Sequence, residues 1–125
     1  MLLLIFLQLA FTTLCLRSVA SRNVSYDSRS MMLDGERIFI LSGSIHYQRI
    51  HPTDWLRVLS LASEAGLNTI QAYVFWNQHE VEQGVVDFSM NNNITAFIQI
   101  AASVSLNVVV RIGPYACGEH FAGGE

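Results

Sequence analysis

The stretch Val108–Gly124, VVVRIGPYACGEHFAGG, decides the fold. A β-branched run stops at Gly113-Pro114, and a polar loop with Tyr115, Cys117 and Glu119 follows. β-Branched residues suit a pleated strand, and Gly-Pro punctuates its end. A strand followed by a polar loop is the place where parallel α/β barrels put residues that touch substrate. Two earlier segments share the layout: FILSGSIHYQR, residues 39–49, and TIQAYVFWNQHE, residues 69–80.

Helical patterns separate these three segments. A helix is expected from about Asp54, with Thr53 as its cap and Gly66 free to adopt the left-handed conformation at its end. Its apolar positions Trp55, Leu59 and Ala62 share one face. A second helix is expected near Asn92, capped by that residue, with Ile94, Phe97, Ile98 and Ala101 as its stripe. The three strands are read as Arg37–Ser44, continuously apolar through Ile38–Leu41 and so buried on both faces, then Leu67–Phe75 and Asn107–Ile112. Upstream, Asp34-Gly35 between apolar stretches predicts a type I′ hairpin leading into the first strand. Residues 21–29 are polar and read as peripheral.

The class is therefore α/β, with the order β-α-β-α-β. Right-handed crossovers in that order fit a (β/α)8 barrel or a doubly wound sheet. SGSIHY, residues 42–47, lacks the GxGxxG pattern that would follow the first strand of a dinucleotide-binding sheet.

In order and spacing, the three strand–loop motifs resemble the opening of glycoside hydrolase family 35, the β-galactosidases, over residues 30–124. The resemblance implies the first three βα units of a (β/α)8 TIM barrel preceded by a β-hairpin. It implies hydrolysis of terminal non-reducing β-D-galactosyl residues by a retaining mechanism, with no cofactor and no metal. Retaining glycosidases hold two carboxyl groups about 5–5.5 Å apart. In the family both catalytic glutamates follow the portion matched here, so no catalytic residue is assigned in this chain. Substrate-binding positions carry over residue by residue. Tyr73 matches the tyrosine ending strand two, and Cys117, Gly118 and Glu119 match a Cys-Ala-Glu segment that contacts galactose. A carboxylate such as Glu119 accepts hydrogen bonds from neighbouring sugar hydroxyls, and charged acceptors make the stronger bonds.

His46 reads as an orienting residue and Trp76 as packing beneath the barrel mouth. Glu80 reads as a loop hydrogen-bond acceptor or ion-pair member, and Arg111 as half of an interior ion pair. The chain also departs from the family pattern. Gln48 stands for proline, Ser105 for a helix-ending glycine, Gly118 for alanine, His120 for tryptophan and Glu125 for an apolar residue. Those departures keep open a truncated or degenerate homologue that at most binds sugar, and a barrel glycosidase acting on another sugar.

A closed barrel takes about 250 residues. At 125 residues the chain reads as the front part of such a domain, over residues 21–125. Residues 2–16 form an apolar run, shorter than the ~20 residues that span a bilayer. Ser18 and Ala20 suit a cleavage site, so residues 1–20 read as a signal peptide, with an uncleaved anchor as the alternative because no Lys or Arg precedes the run. The implied product enters the secretory pathway and is extracellular, vacuolar or lysosomal, without stable membrane association after cleavage. Asn23 and Asn93 head glycosylation sequons. Beyond residue 20 there are six arginines, no lysine and ten acidic residues, a formal charge of −4. That balance leaves no basic patch for nucleic acid and suits a neutral substrate, as the galactoside implied by the resemblance is. Cys117 is then the one remaining cysteine, which excludes an internal disulfide or a cysteine-based metal cluster.

Overall fold

The structure, a computed structural model, describes residues 22–114. The expected signal peptide and the segment Cys117–Glu119 lie outside the described residues. The chain divides into two units, one up to Phe39 and one from Ile40 onward.

In the first unit, β1 (Val24–Tyr26), β2 (Met31–Leu33) and β3 (Glu36–Arg37) form an antiparallel sheet in that order. Asp34 and Gly35 have φ of 53° and 84°, the positive values that a tight turn between twisted strands requires. Asp34 also holds the start of β1: its Oδ1 accepts from the Asn23 N–H at 2.8 Å, and its own N–H returns to the Asn23 carbonyl. Residues 22–29 lie at the surface as expected, with Val24 and Tyr26 exposed, yet Val24–Tyr26 also pairs with Met31–Leu33 as a strand. The reason is Asp27. Its carboxylate accepts from the Arg29 and Ser30 N–H groups and from Arg37, which closes the β1–β2 turn and ties it to β3.

The second unit alternates strand and helix. β4 (Ser42–Ser44), β5 (Thr69–Tyr73) and β6 (Asn107–Arg111) form a parallel sheet in the order β4-β5-β6. Between them lie α1 (Trp55–Glu64), a short helical turn α2 (Trp76–His79) and α3 (Ile94–Ser103), with 3₁₀ turns at Tyr47–Arg49, Pro52–Asp54 and Met90–Asn92. The core fills the space between one sheet face and the helices. Ile70, Ala72 and Leu106 meet Trp55, Leu59, Phe97 and Ala101, all buried. Trp55 packs edge-on against Phe97, and its indole N–H is shared between the Tyr47 and Ile50 carbonyls. A Cβ on Gly43 in β4 would lie 2.7 Å from Leu67 Cδ1, so a larger residue there would displace the end of the Leu67 side chain.

Both longer helices end in the same motif. After α1, the Gly66 N–H bonds the Ser63 carbonyl and the Leu67 N–H the Ala62 carbonyl. After α3, the Ser105 N–H bonds the Ala102 carbonyl and the Leu106 N–H the Ala101 carbonyl. This arrangement needs a left-handed residue at the turn, and the two φ values are 91° at Gly66 and 62° at Ser105. Glycine meets the requirement freely; serine meets it against its Cβ.

Several local expectations are corrected. The run Arg37–Ser44 is not one strand: Arg37 ends β3, and the parallel sheet begins only at Ser42. Phe39, Ile40 and Leu41 are exposed among the described residues, rather than buried on both faces. Hydrophobicity reported that this run wants cover, but not where the chain changes sheets. Thr53 does not cap α1. Its hydroxyl and N–H both engage the His51 ring nitrogen Nδ1, which starts a 3₁₀ turn ahead of the helix. Asn93, not Asn92, caps α3, its Oδ1 accepting from the Ala96 N–H at 2.9 Å. Asn92 instead donates to the Gln78 carbonyl. In the α3 stripe, Phe97 and Ala101 are buried and Ile94 packs beside them, whereas Ile98 is exposed.

Ser105→Gly should raise stability by about 1 kcal/mol, because it removes the left-handed penalty and keeps both capping bonds. The denaturant midpoint measures this. The Asp27 carboxyl lies below its usual 3.8, held down first by the Arg37 hydrogen bond and then by the Arg29 and Ser30 N–H groups. Its folded value is depressed, so its contribution is complete above 3.8 and is lost as the pH falls through the lower folded value. The Ser30 amide NMR signal should therefore titrate below 3.8, and Asp27→Asn should abolish that titration.

Candidate functional site

Side chains alternate along a strand, so the parallel sheet has two unlike faces. Ile70 and Ala72 point into the helical core, while Thr69, Gln71 and Tyr73 lie on the other face. Register aligns Tyr73 of β5 with Arg111 of β6, and Gln71 with Ser44 and Val109. The second face therefore gathers its larger polar and aromatic groups at the C-terminal ends of the strands, where the loops leave.

Those groups form one cluster. The Arg111 guanidinium lies 4.3 Å from the Tyr73 ring centroid. Tyr73 and Phe75 are stacked at 5.9 Å with 8° between their planes, and the His46 ring packs 5.3 Å from Tyr73 and 5.2 Å from Phe75. Arg49 sits over the far ring, with Cζ 5.7 Å from the Phe75 centroid. Tyr73 is only 5% exposed despite lying on the open face, because these neighbours wrap it. A guanidinium over an aromatic face gains about 0.5–2 kcal/mol, and it keeps its N–H edge free for a carboxylate or hydroxyl. Arg111 was expected in an interior ion pair. Its described contact is instead the Tyr73 ring, which stabilises a cation on an apolar surface without an anion.

Beneath this cluster the strand-end loops are cross-linked by hydrogen bonds. The Asp87 carbonyl can only accept, so His79 Nδ1 carries the proton shared across 2.7 Å. His79 Nε2 is then the acceptor for the Tyr47 hydroxyl at 2.6 Å. Burial pushes the Tyr47 phenol well above its usual value of 10.0, so it stays protonated and donates. Gln48 links the same two loops: its Nε2 donates to the Tyr73 carbonyl and its own carbonyl accepts from Asn91. The Asp87 carboxyl is held below its usual 3.8, chiefly by the Ser89 side-chain and backbone hydrogen bonds. Glu80 accepts from the Gly84 N–H at 2.7 Å, the loop role expected for it. Val74, Trp76, His79, Glu80, Val86, Phe88 and Ile112 line an apolar cleft of about 270 Å³. Trp76 is half-exposed there, and its indole N–H donates to the Ile112 carbonyl.

Of the substrate-binding positions expected from sequence, Tyr73 is in the cluster, and Cys117, Gly118 and Glu119 lie beyond the described residues. His46 is beside Tyr73. The hydrogen bonds of His79 and Gln48 carry no signal in the sequence. The partners lie 32 and 25 residues apart, a separation that no local pattern reports.

Residues 30–125 match the family model described as Glycosyl hydrolases family 35. The chain belongs to that family. Among curated relatives it is similar to a β-galactosidase of Xanthomonas manihotis, 52% identical over 73% of this chain and 15% of that protein. It is also similar to β-galactosidase 11 of Oryza sativa subsp. japonica, 44% identical over 81% of this chain and 12% of that protein. β-Galactosidase 8 of Arabidopsis thaliana is 41% identical over 82% of this chain and 12% of its own length. The chain thus spans about an eighth of the relatives it matches. For this family 35 chain, the matched region includes the whole Tyr73–Arg111 cluster and the loops that support it.

Tyr47→Phe should cost about 1–3 kcal/mol, because it leaves His79 Nε2 a buried acceptor without its donor. The shift in denaturant midpoint checks this, and an unchanged midpoint would show that the contact is not made.

Proposed function

We propose that this chain is the N-terminal part of a secreted β-galactosidase: three βα units of a (β/α)8 barrel, with the preceding hairpin sheet. The complete domain hydrolyses terminal non-reducing β-D-galactosyl residues by double displacement. Both catalytic glutamates come from later barrel strands, and these residues supply part of the sugar-binding wall. The observation that carries the reading is the family match over residues 30–125. The sheet geometry agrees with it, because Tyr73 and Arg111 lie side by side at the C-terminal ends of parallel strands, where barrel enzymes build their sites. Tyr73 presents an aromatic ring with a polar tip, and Cys117, Gly118 and Glu119 come after β6 in the chain, past residues 112–116.

Secretion rests on residues 1–20 as a signal peptide, cleaved after Ala20. Asn23 is exposed and open to glycosylation. Asn93 is half-buried and its side-chain oxygen caps α3, so it is the poorer acceptor of the two sequons.

The test is Glu119→Gln in the full-length protein. If Glu119 holds sugar hydroxyls, galactose affinity should fall roughly 10- to 150-fold, the range that charged hydrogen bonds support. A fluorinated galactoside should still label the enzyme, on a peptide that does not contain Glu119. Label on Glu119 itself would make it the nucleophile and overturn the assignment. A full-length protein that neither cleaves β-galactosides nor becomes labelled would favour the degenerate, sugar-binding homologue.

A further inference from the structure

The two neighbours of β5 do not run equally far along it. β4 stops at Ser44, opposite Gln71, whereas β6 continues as far as Arg111, opposite Tyr73. Among the described residues, Ala72 and Tyr73 therefore have a strand neighbour on one side only. The two-residue repeat of a strand sends the carbonyls of Gln71 and Tyr73 to the same side. The Gln71 carbonyl accepts from the Ile45 N–H, so that side is the one along which β4 runs. The Tyr73 carbonyl, one repeat further on, points to where β4 has ended. Gln48 meets it there, its Nε2 donating across 3.3 Å from the 3₁₀ turn Tyr47–Arg49. The donor is itself well held. The Gln48 carbonyl accepts from Asn91, the adjacent Tyr47 is fully buried and bonded to His79, and Gln48 is only 7% exposed.

We propose that Gln48 is a positioning residue for Tyr73: its side-chain amide stands in for the missing strand neighbour and fixes the backbone from which the tyrosine presents its phenol to galactose. The inference rests on the function proposed above, in which Tyr73 contacts the sugar. His46, Phe75 and Arg111 pack the Tyr73 ring, but packing of this kind is only weakly directional. A carbonyl met by a donor has a preferred direction, and so gives the end of β5 a defined course. The role needs the donor alone, because Gln48 Oε1 has no hydrogen-bond partner among the described residues. Exchanging the amide for an apolar chain removes that unmade acceptor and creates another on the Tyr73 carbonyl. The two costs offset one another, so at this residue affinity falls without a matching loss of stability.

The experiment uses the full-length protein and reads galactose inhibition constants, KM and kcat on a chromogenic β-galactoside, and the denaturant midpoint. Gln48→Met keeps a side chain of similar size and removes the donor. It should weaken galactose binding roughly 2- to 10-fold, the range of one neutral hydrogen bond, with KM rising more than kcat falls and little change in midpoint. Gln48→Glu serves if that variant folds poorly, and it adds a readout that packing alone does not move. Its carboxyl donates to the Tyr73 carbonyl when protonated and cannot when ionised. Its galactose affinity relative to wild type should therefore fall as the pH rises through that titration. The deciding comparison is Gln48→Met in a Tyr73→Phe background. If Gln48 acts through Tyr73, the double variant binds galactose no worse than Tyr73→Phe alone. Additive losses would overturn the proposal, as would wild-type binding in Gln48→Met, or a Gln48→Glu affinity that is low at every pH. Failure of the proposed function reads differently. A wild-type protein that neither binds galactose nor cleaves the galactoside, or a Tyr73→Phe variant that binds as wild type does, removes the sugar-binding role of Tyr73 and this inference with it.

Discussion

The two-residue alternation along β5 is the constraint on which the rest of this molecule depends. Ile70 and Ala72 must go to one face and Thr69, Gln71 and Tyr73 to the other, because a pleated strand permits nothing else. The first pair recruits Trp55, Leu59, Phe97 and Ala101, and so pins both helices. The second set ends at Tyr73, whose ring is covered by His46, Phe75 and Arg111. Core and candidate site are two sides of one five-residue strand, so neither can shift register without inverting the other. The parallel pairing to β6 then carries the same division across to Val108 on the helical side and to Arg111 beside Tyr73.

Register fixes where side chains start; it does not fix the loops that surround them. That task falls to buried polar contacts with unambiguous direction. His79 is locked between an obligate acceptor, the Asp87 carbonyl, and a phenol that burial keeps protonated. Its tautomer follows from those two neighbours, and the loop after β4 is thereby joined to the loop after β5. Gln48 and Asn91 make a second tie between the same regions, ending on the Tyr73 carbonyl. The tyrosine expected to meet sugar is thus held at its backbone by one loop and at its ring by His46, Phe75 and Arg111.

How much of this was legible in the sequence depends on the range of the interaction. Asp34-Gly35, Gly66 and the apolar spacing of α1 act within a few residues, and the reading of them agrees with the structure. The cap of α3 was displaced by one position because Asn92 and Asn93 are chemically equivalent, and only the reach of Asn92 to Gln78 separates them. The run Ile38–Leu41 was misread because its hydrophobicity does not encode a change of sheet. The Tyr47–His79 bond could not be found at all from pattern, since a tyrosine and a histidine 32 residues apart carry no shared period. Periodicity and element order left a barrel and a doubly wound sheet both open, and the family resemblance favoured the barrel. It did so through motifs whose loops, in the case of Cys117–Glu119, extend past the described residues.

Gln48 shows how a departure from the family pattern is accommodated. Proline at this position would offer no side-chain polar group, whereas glutamine brings a donor and an acceptor into a site only 7% exposed. The donor is used, on the Tyr73 carbonyl, at a rather long 3.3 Å. The acceptor Oε1 has no hydrogen-bond partner among the described residues. A buried acceptor left unmade costs about 1–3 kcal/mol, more than one neutral hydrogen bond contributes. The substitution is therefore unfavourable as a local exchange within these residues. It becomes neutral only if a water or a donor from elsewhere in the domain reaches Oε1. Gln48 thus marks the point, after the end of β4, at which the fold is polar beyond what the described residues satisfy.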